Sequence, residues 1–261
     1  MKDKKEVCLK KINIDEMKLK YERNKYKENS YLNDLNNEIK ILKLLSGHKN
    51  SVKYYGNYDK DNLKVLIVEK CDENMEQFMK KRKKELTIKE IKDIFIGFNE
   101  ILYKLQEKKI IHRDLKLSNL LIKYDDKDKN KFTLKLSDFG ISKIFLEEIN
   151  YNISGYKFSF DTAAPEIILK KIEKHDSIVD IFSLGIIFYQ LSHNLNHPFI
   201  KKEDDYIYFI YRNYYDEDNF EIEFNKSIEN DDFKDLIRKM LRLNPKNRLT
   251  WDQYFEHKFF K

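Results

Sequence analysis

The sequence predicts an α+β chain in two unequal parts, a strand-rich stretch to about residue 70 and a helical remainder. Three observations predict this. First, Val7 to Ile12 alternates as a strand does, and Val52 to Tyr58 and Leu63 to Val68 also read as strands, the last a short buried run. Second, Ile88, Ile91, Phe95, Phe98, Leu102 and Leu105 step by three and four, the spacing of one long amphipathic helix. Third, the most apolar stretch, Ile181 to Leu191, is eleven residues long and contains Ser183, Gly185 and Gln190, so it reads as a buried helix. A membrane span needs about twenty apolar residues.

The elements follow in order. On the first strand Val7 and Leu9 face one side, and Cys8, Lys10 and Ile12 the other. Asn13 to Asn33 is very polar and reads as an exposed loop or ragged helix. Leu35, Ile39, Leu42 and Leu45 recur at helical spacing, which puts Glu38 on that helix. Strands dominate the first seventy residues on this reading, and the character changes between Glu69 and Asn74. Thr87 and Glu90 form a capping-box signature ahead of the long helix. Leu120-Leu121-Ile122 and Phe132, Leu134, Leu136 read as a strand pair joined by polar Lys123 to Lys131. From Pro165 onward helices are expected near Ser177 to Leu191, Asp204 to Arg212, Asp232 to Leu243 and Trp251 to Phe260. No internal repeat is visible.

Bulk composition narrows the function classes. The chain has 261 residues, 41% hydrophobic and 37% charged, with 51 basic against 45 acidic side chains and a net charge of +6. That balance argues against a nucleic-acid binder. The basic run Lys80 to Lys84, beside Glu85, reads as a solvated loop. Cys8 and Cys71 stand at no metal-ligand spacing, and Met1 to Asn13 lacks the apolar segment of a signal peptide. A cytoplasmic monomer with no membrane attachment is expected, nuclear access being open. In the aromatic group Tyr206, Tyr208, Phe209, Tyr211, Tyr214 and Tyr215, helical spacing sends Tyr206, Phe209 and Ile210 to the core.

The chemistry is carried by His112-Arg113-Asp114-Leu115-Lys116-Leu117-Ser118-Asn119, followed nineteen residues after that Asn by Asp138-Phe139-Gly140. Two acids and an amide in fixed order, with a cation between them, are equipment for holding magnesium and a nucleoside triphosphate while a hydroxyl is aimed at the terminal phosphate. Asn119 and Asp138 offer the oxygen ligands magnesium prefers. Asp114 is placed to accept a proton, and Lys116 brings a cation to the transferred group. His112 reads as a packed structural residue.

With Val7-Cys8-Leu9-Lys10, Glu38, Ala164-Pro165-Glu166, Asp180 to Gly185 and Arg248 added in order, the chain resembles eukaryotic-type protein kinases from about residue 7 to its end. The resemblance implies a two-lobed fold over residues 1–261, with a partial N-lobe at 1–70 and the hinge and C-lobe at 71–261. It implies ATP and Mg2+ as cofactors and a protein as substrate. Lys10 would hold the α- and β-phosphates and pair with Glu38. Cys8 and Leu121 would sandwich the adenine, Glu69 and Cys71 would offer it backbone hydrogen bonds, and Val68 would control the rear of the pocket. Lys116, two residues after Asp114, marks serine/threonine specificity in the family. Arg113 resembles an arginine that pairs with an activating phosphate, for which Tyr151, Ser154, Tyr156 and Ser159 are candidates. Glu166 and Arg248 would form a buried brace, and Gly140 would let the backbone turn sharply.

Two departures accompany the resemblance. No Gly occurs before Gly47, so the Gly-rich phosphate loop and the first two strands of the small lobe are expected to be missing. Ahead of Ala164, Phe158, Ser159 and Thr162 occupy positions where the family has Gly, Thr and an aromatic residue. Ser159 keeps a hydroxyl that would bridge Asp114 and Lys116. An active serine/threonine kinase and a kinase-shaped binding protein are therefore both carried forward.

Overall fold

A central strand with neighbours on both sides organises the small lobe. In the computed structural model, which describes residues 6–23, 30–144, 159–169, 177–200, 205–214 and 221–261, β1 (Val7–Asn13), β2 (Tyr54–Lys60) and β3 (Leu63–Glu69) form an antiparallel sheet in the order β1-β3-β2. β3 takes the middle because it is the most apolar of the three, with Leu66 fully buried. The register sets Lys10 opposite Leu66 and Cys8 opposite Val68. Among the described residues the outer edge of β1 has no strand partner, and Val7 and Leu9 are 40% and 44% exposed.

Helix exceeds strand here, contrary to the sequence expectation. α1 (Ile14–Arg23) and α2 (Ser30–Leu44) contribute 10 and 15 residues against three strands of 7. The sequence leaves this stretch open between loop and ragged helix, and α1 is decided by its start. Asn13 Oδ1 accepts from the amides of Asp15 and Glu16, satisfying donors that a helix N-terminus leaves free. α2 buries Leu35, Ile39, Ile41 and Leu42, which carries Glu38 inward to 4% exposure.

The large lobe begins with β4 (Glu73–Asn74) and α3 (Met75–Arg82). The expected loop at Lys80 to Lys84 is helical through Arg82. Asn74 and Gln77 make a reciprocal capping box, and the helix ends at Lys83 in the left-handed region. The basic side chains are still solvent-facing, with Lys80 on Glu76, Lys81 on Glu73 and Arg82 on Glu90.

α4 (Ile88–Glu107) follows its own box at Thr87 and Glu90. Two short sheets then frame the cleft. β4 pairs with β6 (Leu120–Tyr124), which pairs with β7 (Phe132–Leu136); β5 (Ile110–Ile111) pairs with β8 (Lys143–Ile144).

Next come α5 (Pro165–Ile168), α6 (Ile178–Ser192), α7 (Asp205–Asn213), α8 (Asp231–Met240) and α9 (Trp251–Phe255). α6 is apolar nearly all round and forms the axis of the lobe. Its Phe188 meets Phe95 of α4 edge-on at 4.4 Å and also faces Phe233 and Phe259. The last helix is shorter than expected. His257 interrupts it, its Nδ1 accepting from Phe259 N, and a 3-10 turn carries Phe259 into the core. Glu166 and Arg248 form a two-bond pair at 2.7 and 2.9 Å, both side chains wholly buried. On α7, Tyr206 and Ile210 are buried while Tyr208 and Tyr211 are exposed; Tyr215 lies outside the described residues. No helix among the described residues is long and apolar enough to cross a membrane.

Two predictions follow from the packing. A Cβ on Gly185 would come within 2.8 Å of Leu241 Cδ2 and 3.0 Å of Met240 Cβ. Gly185→Ala should therefore lower stability by about 1–3 kcal/mol in denaturant titration, despite better helix propensity. His197 donates from Nε2 to Asp161 O and accepts at Nδ1 from Phe199 N, so the fold needs it neutral. Burial pushes its pKa down to about 4. The unfolded chain then binds the extra proton first. Stability is fully present above the ordinary histidine range and is lost as pH falls toward 4, and His197→Gln should flatten that part of the Tm-against-pH curve.

Candidate active site

The loop from His112 to Asn119 is shaped by one carboxylate beneath it. Asp180 on α6 accepts from the backbone N–H of His112 at 2.7 Å and of Arg113 at 2.8 Å. This holds Arg113 at φ 65, in the left-handed region, where an arginine does not settle unaided. Burial pushes the Asp180 carboxyl up to about 7, against the two N–H donors that favour its anion. In the sequence Asp180 opens one of the segments that carry the family resemblance, and its two backbone donors emerge only from the fold.

His112 is fully buried, as expected of a structural residue. Its Nδ1 accepts from Asp114 N, so Nε2 carries the proton and donates to Ser137 O at 3.1 Å. Burial lowers its pKa and keeps the ring neutral. Ser142 Oγ donates to His112 O, and Asn37 Nδ2 on α2 donates to Ser142 O. Phe139 is buried against the His112 ring at 5.1 Å. The segment after β7 is thereby fixed to both α2 and the loop.

Asp114, Lys116 and Ser159 meet at one point. Ser159 Oγ donates to Asp114 Oδ1 at 2.7 Å, and Lys116 Nζ lies 2.7 Å from Ser159 Oγ and 2.8 Å from Asp114 Oδ2. The bridge anticipated from the sequence is present. Ser159 is brought there by the 3-10 turn Phe160–Thr162, anchored by Ser183 Oγ to Thr162 O and Tyr206 Oη to Ala163 O. Asn119 Nδ2 donates to Asp114 O and Asp114 Oδ2, at 2.8 and 3.0 Å.

Lys10, Glu38 and Asp138 form a second cluster. Lys10 Nζ lies 2.7 Å from Glu38 Oε1 and 2.8 Å from Asp138 Oδ1. Burial alone lowers the Lys10 pKa, but the two carboxylates outweigh it and the net shift is upward. Burial raises Glu38, and Lys10 offsets this only in part. For Asp138 burial also pushes upward, yet Lys10 prevails and the carboxyl stays below its ordinary range. Gly140 serves this cluster by its size rather than by its backbone freedom. A Cβ there would lie 3.3 Å from Asp138 Oδ1 and 3.6 Å from Glu38 Oε2, while the positive φ of 62 falls on Asp138 itself.

The remaining candidates lie on β1, at and after the end of β3, and on β6. Cys8 is exposed on β1, Val68 and Glu69 end β3, and Leu121 is half-buried on β6. Cys71 is half-buried; burial first, then the charge of Glu69, pushes its thiol up to about 12. Arg113 gives its Nε and Nη2 to Ile141 O. Tyr151, Ser154, Tyr156 and Phe158 lie outside the described residues.

A magnesium site fits the donor set. Because the Asn119 amide nitrogen is spent on Asp114, its carbonyl oxygen is left for a cation, and the Asp138 carboxylate is 46% exposed. Among the described residues no three His, Cys, Asp or Glu side chains group to hold a metal by themselves. Magnesium characteristically takes one or two protein oxygens and completes its shell with phosphate and water.

The protein kinase domain family matches residues 1–260, and the chain belongs to that family. It is 34% identical over 232 residues to calcium-dependent protein kinase 19 of Arabidopsis thaliana, across 87% of this chain and 39% of that protein. It is 30% identical over 226 residues to the cell cycle serine/threonine-protein kinase CDC5/MSD2 of Saccharomyces cerevisiae, across 86% of this chain and 30% of that protein. With the serine/threonine-protein kinase/endoribonuclease ire-1 of Caenorhabditis elegans the identity is 28% over 231 residues, across 85% and 23%. The chain thus spans about two-fifths or less of the length of these relatives.

Asp180→Ala should orphan two buried N–H groups and cost about 1–3 kcal/mol for each, measured by denaturant unfolding. Asp180→Asn, which keeps one acceptor oxygen, should lose distinctly less.

Proposed function

We propose that this chain is a serine/threonine protein kinase, moving the γ-phosphoryl group of ATP, bound with Mg2+, to a Ser or Thr hydroxyl of a protein substrate. The observation that carries it is the joining of two polar clusters, Asp114–Lys116–Ser159 and Lys10–Glu38–Asp138, through the bonds of His112 and Asn119. Membership of the protein kinase domain family and relatives named as serine/threonine kinases support the same reading.

Each residue has a task that its surroundings suit. Asp114 accepts the hydrogen bond of the substrate hydroxyl and takes its proton late in transfer. Lys116 supplies positive charge beside the moving group, and Ser159 keeps both side chains in place. Lys10, steadied by Glu38, holds the α- and β-phosphates. Asn119 and Asp138 would hold Mg2+, which when bound neutralises phosphate charge. Cys8 and Leu121 would enclose the adenine, with the backbone of Glu69 and Cys71 at its edge. The free thiols of Cys8 and Cys71 suit a reducing compartment, and we place the protein in the cytosol.

A second reading is a kinase-shaped binding protein with little turnover. Asp114→Asn separates the readings. It should abolish labelling of protein substrate from Mg-ATP, a loss of roughly 10²–10⁴-fold, while keeping thermal stabilisation by Mg-ATP. Wild-type labelling no greater than that of the variant, with stabilisation intact, would favour the binding protein. Absence of stabilisation in the wild type would sink the nucleotide reading.

A further inference from the structure

Among the described residues Lys135 is the one buried lysine. Its side chain is 5% exposed, and an ammonium so placed must be paired. It stands on β7, three residues before Asp138, opposite Leu121 in the β6 register. Alternation along Leu134, Lys135 and Leu136 would send it to solvent; instead it turns beneath the hinge. Its Nζ lies 3.1 Å from Glu69 Oε2 and donates to Lys49 O at 2.8 Å. Glu69 is itself 11% exposed, and its Oε2 also accepts from Lys53 N at 3.2 Å. The Glu69 amide donates to Lys53 O at 2.8 Å, so this one residue is held by both its side chain and its backbone.

The same three segments are tied again around this pair. Asn50 Nδ2 donates to Leu134 O, Leu136 N donates to Asn50 O, and Val52 N donates to Leu136 O. Residues 48–53 are therefore a wedge between the end of β3 and the strand leading to Asp138. These bonds run between backbone and neutral groups. Lys135 adds the one ion pair that reaches from β7 to the hinge itself.

We infer that Lys135 is a positioning residue for the nucleotide, fixing the hinge at Glu69 to Cys71 relative to the strand that carries Asp138. The inference rests on the nucleotide reading proposed above. Adenine held by the hinge backbone and phosphates held near Asp138 must be spaced to suit one ligand, and Lys135 sets that spacing. A surface lysine could not do so, because solvent would screen it and its side chain would wander. Between buried partners the geometry is single-valued, and loss of one partner strands the other as an uncompensated charge.

The test compares Lys135→Met with the double variant Glu69→Gln/Lys135→Met. The double variant leaves no unpaired buried charge and so keeps a folded protein in hand. Amide hydrogen exchange is followed without ligand at Glu69 and Asp72, which bond to Lys53 O and Ile122 O, and along α6 as an internal reference. Both variants should speed exchange at Glu69 and Asp72 by at least ~10-fold with α6 unchanged, the signature of local rather than global opening. Both should weaken Mg-ATP, raising its KM several-fold (roughly 3–10) with kcat nearly constant, as expected for lost uniform binding. The double variant should regain Tm without regaining hinge protection or KM. Hinge exchange at wild-type rates, exchange accelerated equally in α6, or recovery of KM along with Tm would each overturn the inference. Failure of the nucleotide reading is told apart by wild-type protein that Mg-ATP does not stabilise.

Discussion

One buried carboxylate decides where the chemistry can sit. Asp180 is a charge inside the most apolar helix of the chain, and the two backbone N–H groups it receives come from consecutive residues of a loop far away in sequence. Two donors converging on one carboxylate force the loop to turn over its oxygens, which is why Arg113 accepts a left-handed backbone. The turn in its place sets Asp114 against Lys116 and Ser159 and sends His112 to the interior. From there the neutral His112 ring ties the loop to Ser137, one residue ahead of Asp138. A helix axis, a loop and a strand end are thus locked by hydrogen bonds whose partners are nearly all buried, where an unmet polar group is costly.

The second lock is electrostatic and softer. Lys10 sits between two carboxylates contributed by α2 and by the segment after β7, and all three residues come from different parts of the chain. Glu38 is deeply buried while Lys10 and Asp138 are 38% and 46% exposed, so the charges are graded from core to solvent. Lys10 holds Asp138 below its ordinary range against the effect of burial, while Glu38 is committed to Lys10.

Much of this was legible in the sequence, and the reasons are physical. The long helix from Ile88 announced itself through apolar spacing and a capping box, and β6 and β7 through short apolar runs around a polar turn. Asp114, Lys116, Asn119 and Asp138 were legible from residue type and spacing, whereas Lys10, Glu38 and Ser159 came only with the family resemblance. What stayed hidden was structure made by single side chains. α1 depends on the cap supplied by Asn13, and α3 on Asn74 and Gln77, against a background of lysine that reads as loop. Lys135 gave no signal, since alternation assigns it to solvent and only the fold brings Glu69 and Lys49 to it. Asp180 is the intermediate case: the family resemblance marked its segment, and only the three-dimensional partners show that it holds the loop.

The two thiols end in very different chemical circumstances. Cys8 lies open on β1, whereas Cys71, its thiol pushed up to about 12, carries almost no thiolate at neutral pH. Since thiolate is the nucleophile, an alkylating dye added to the native protein should mark Cys8 on β1 well before Cys71. The molecule thus comes with a built-in handle for attaching a reporter at a single, known spot.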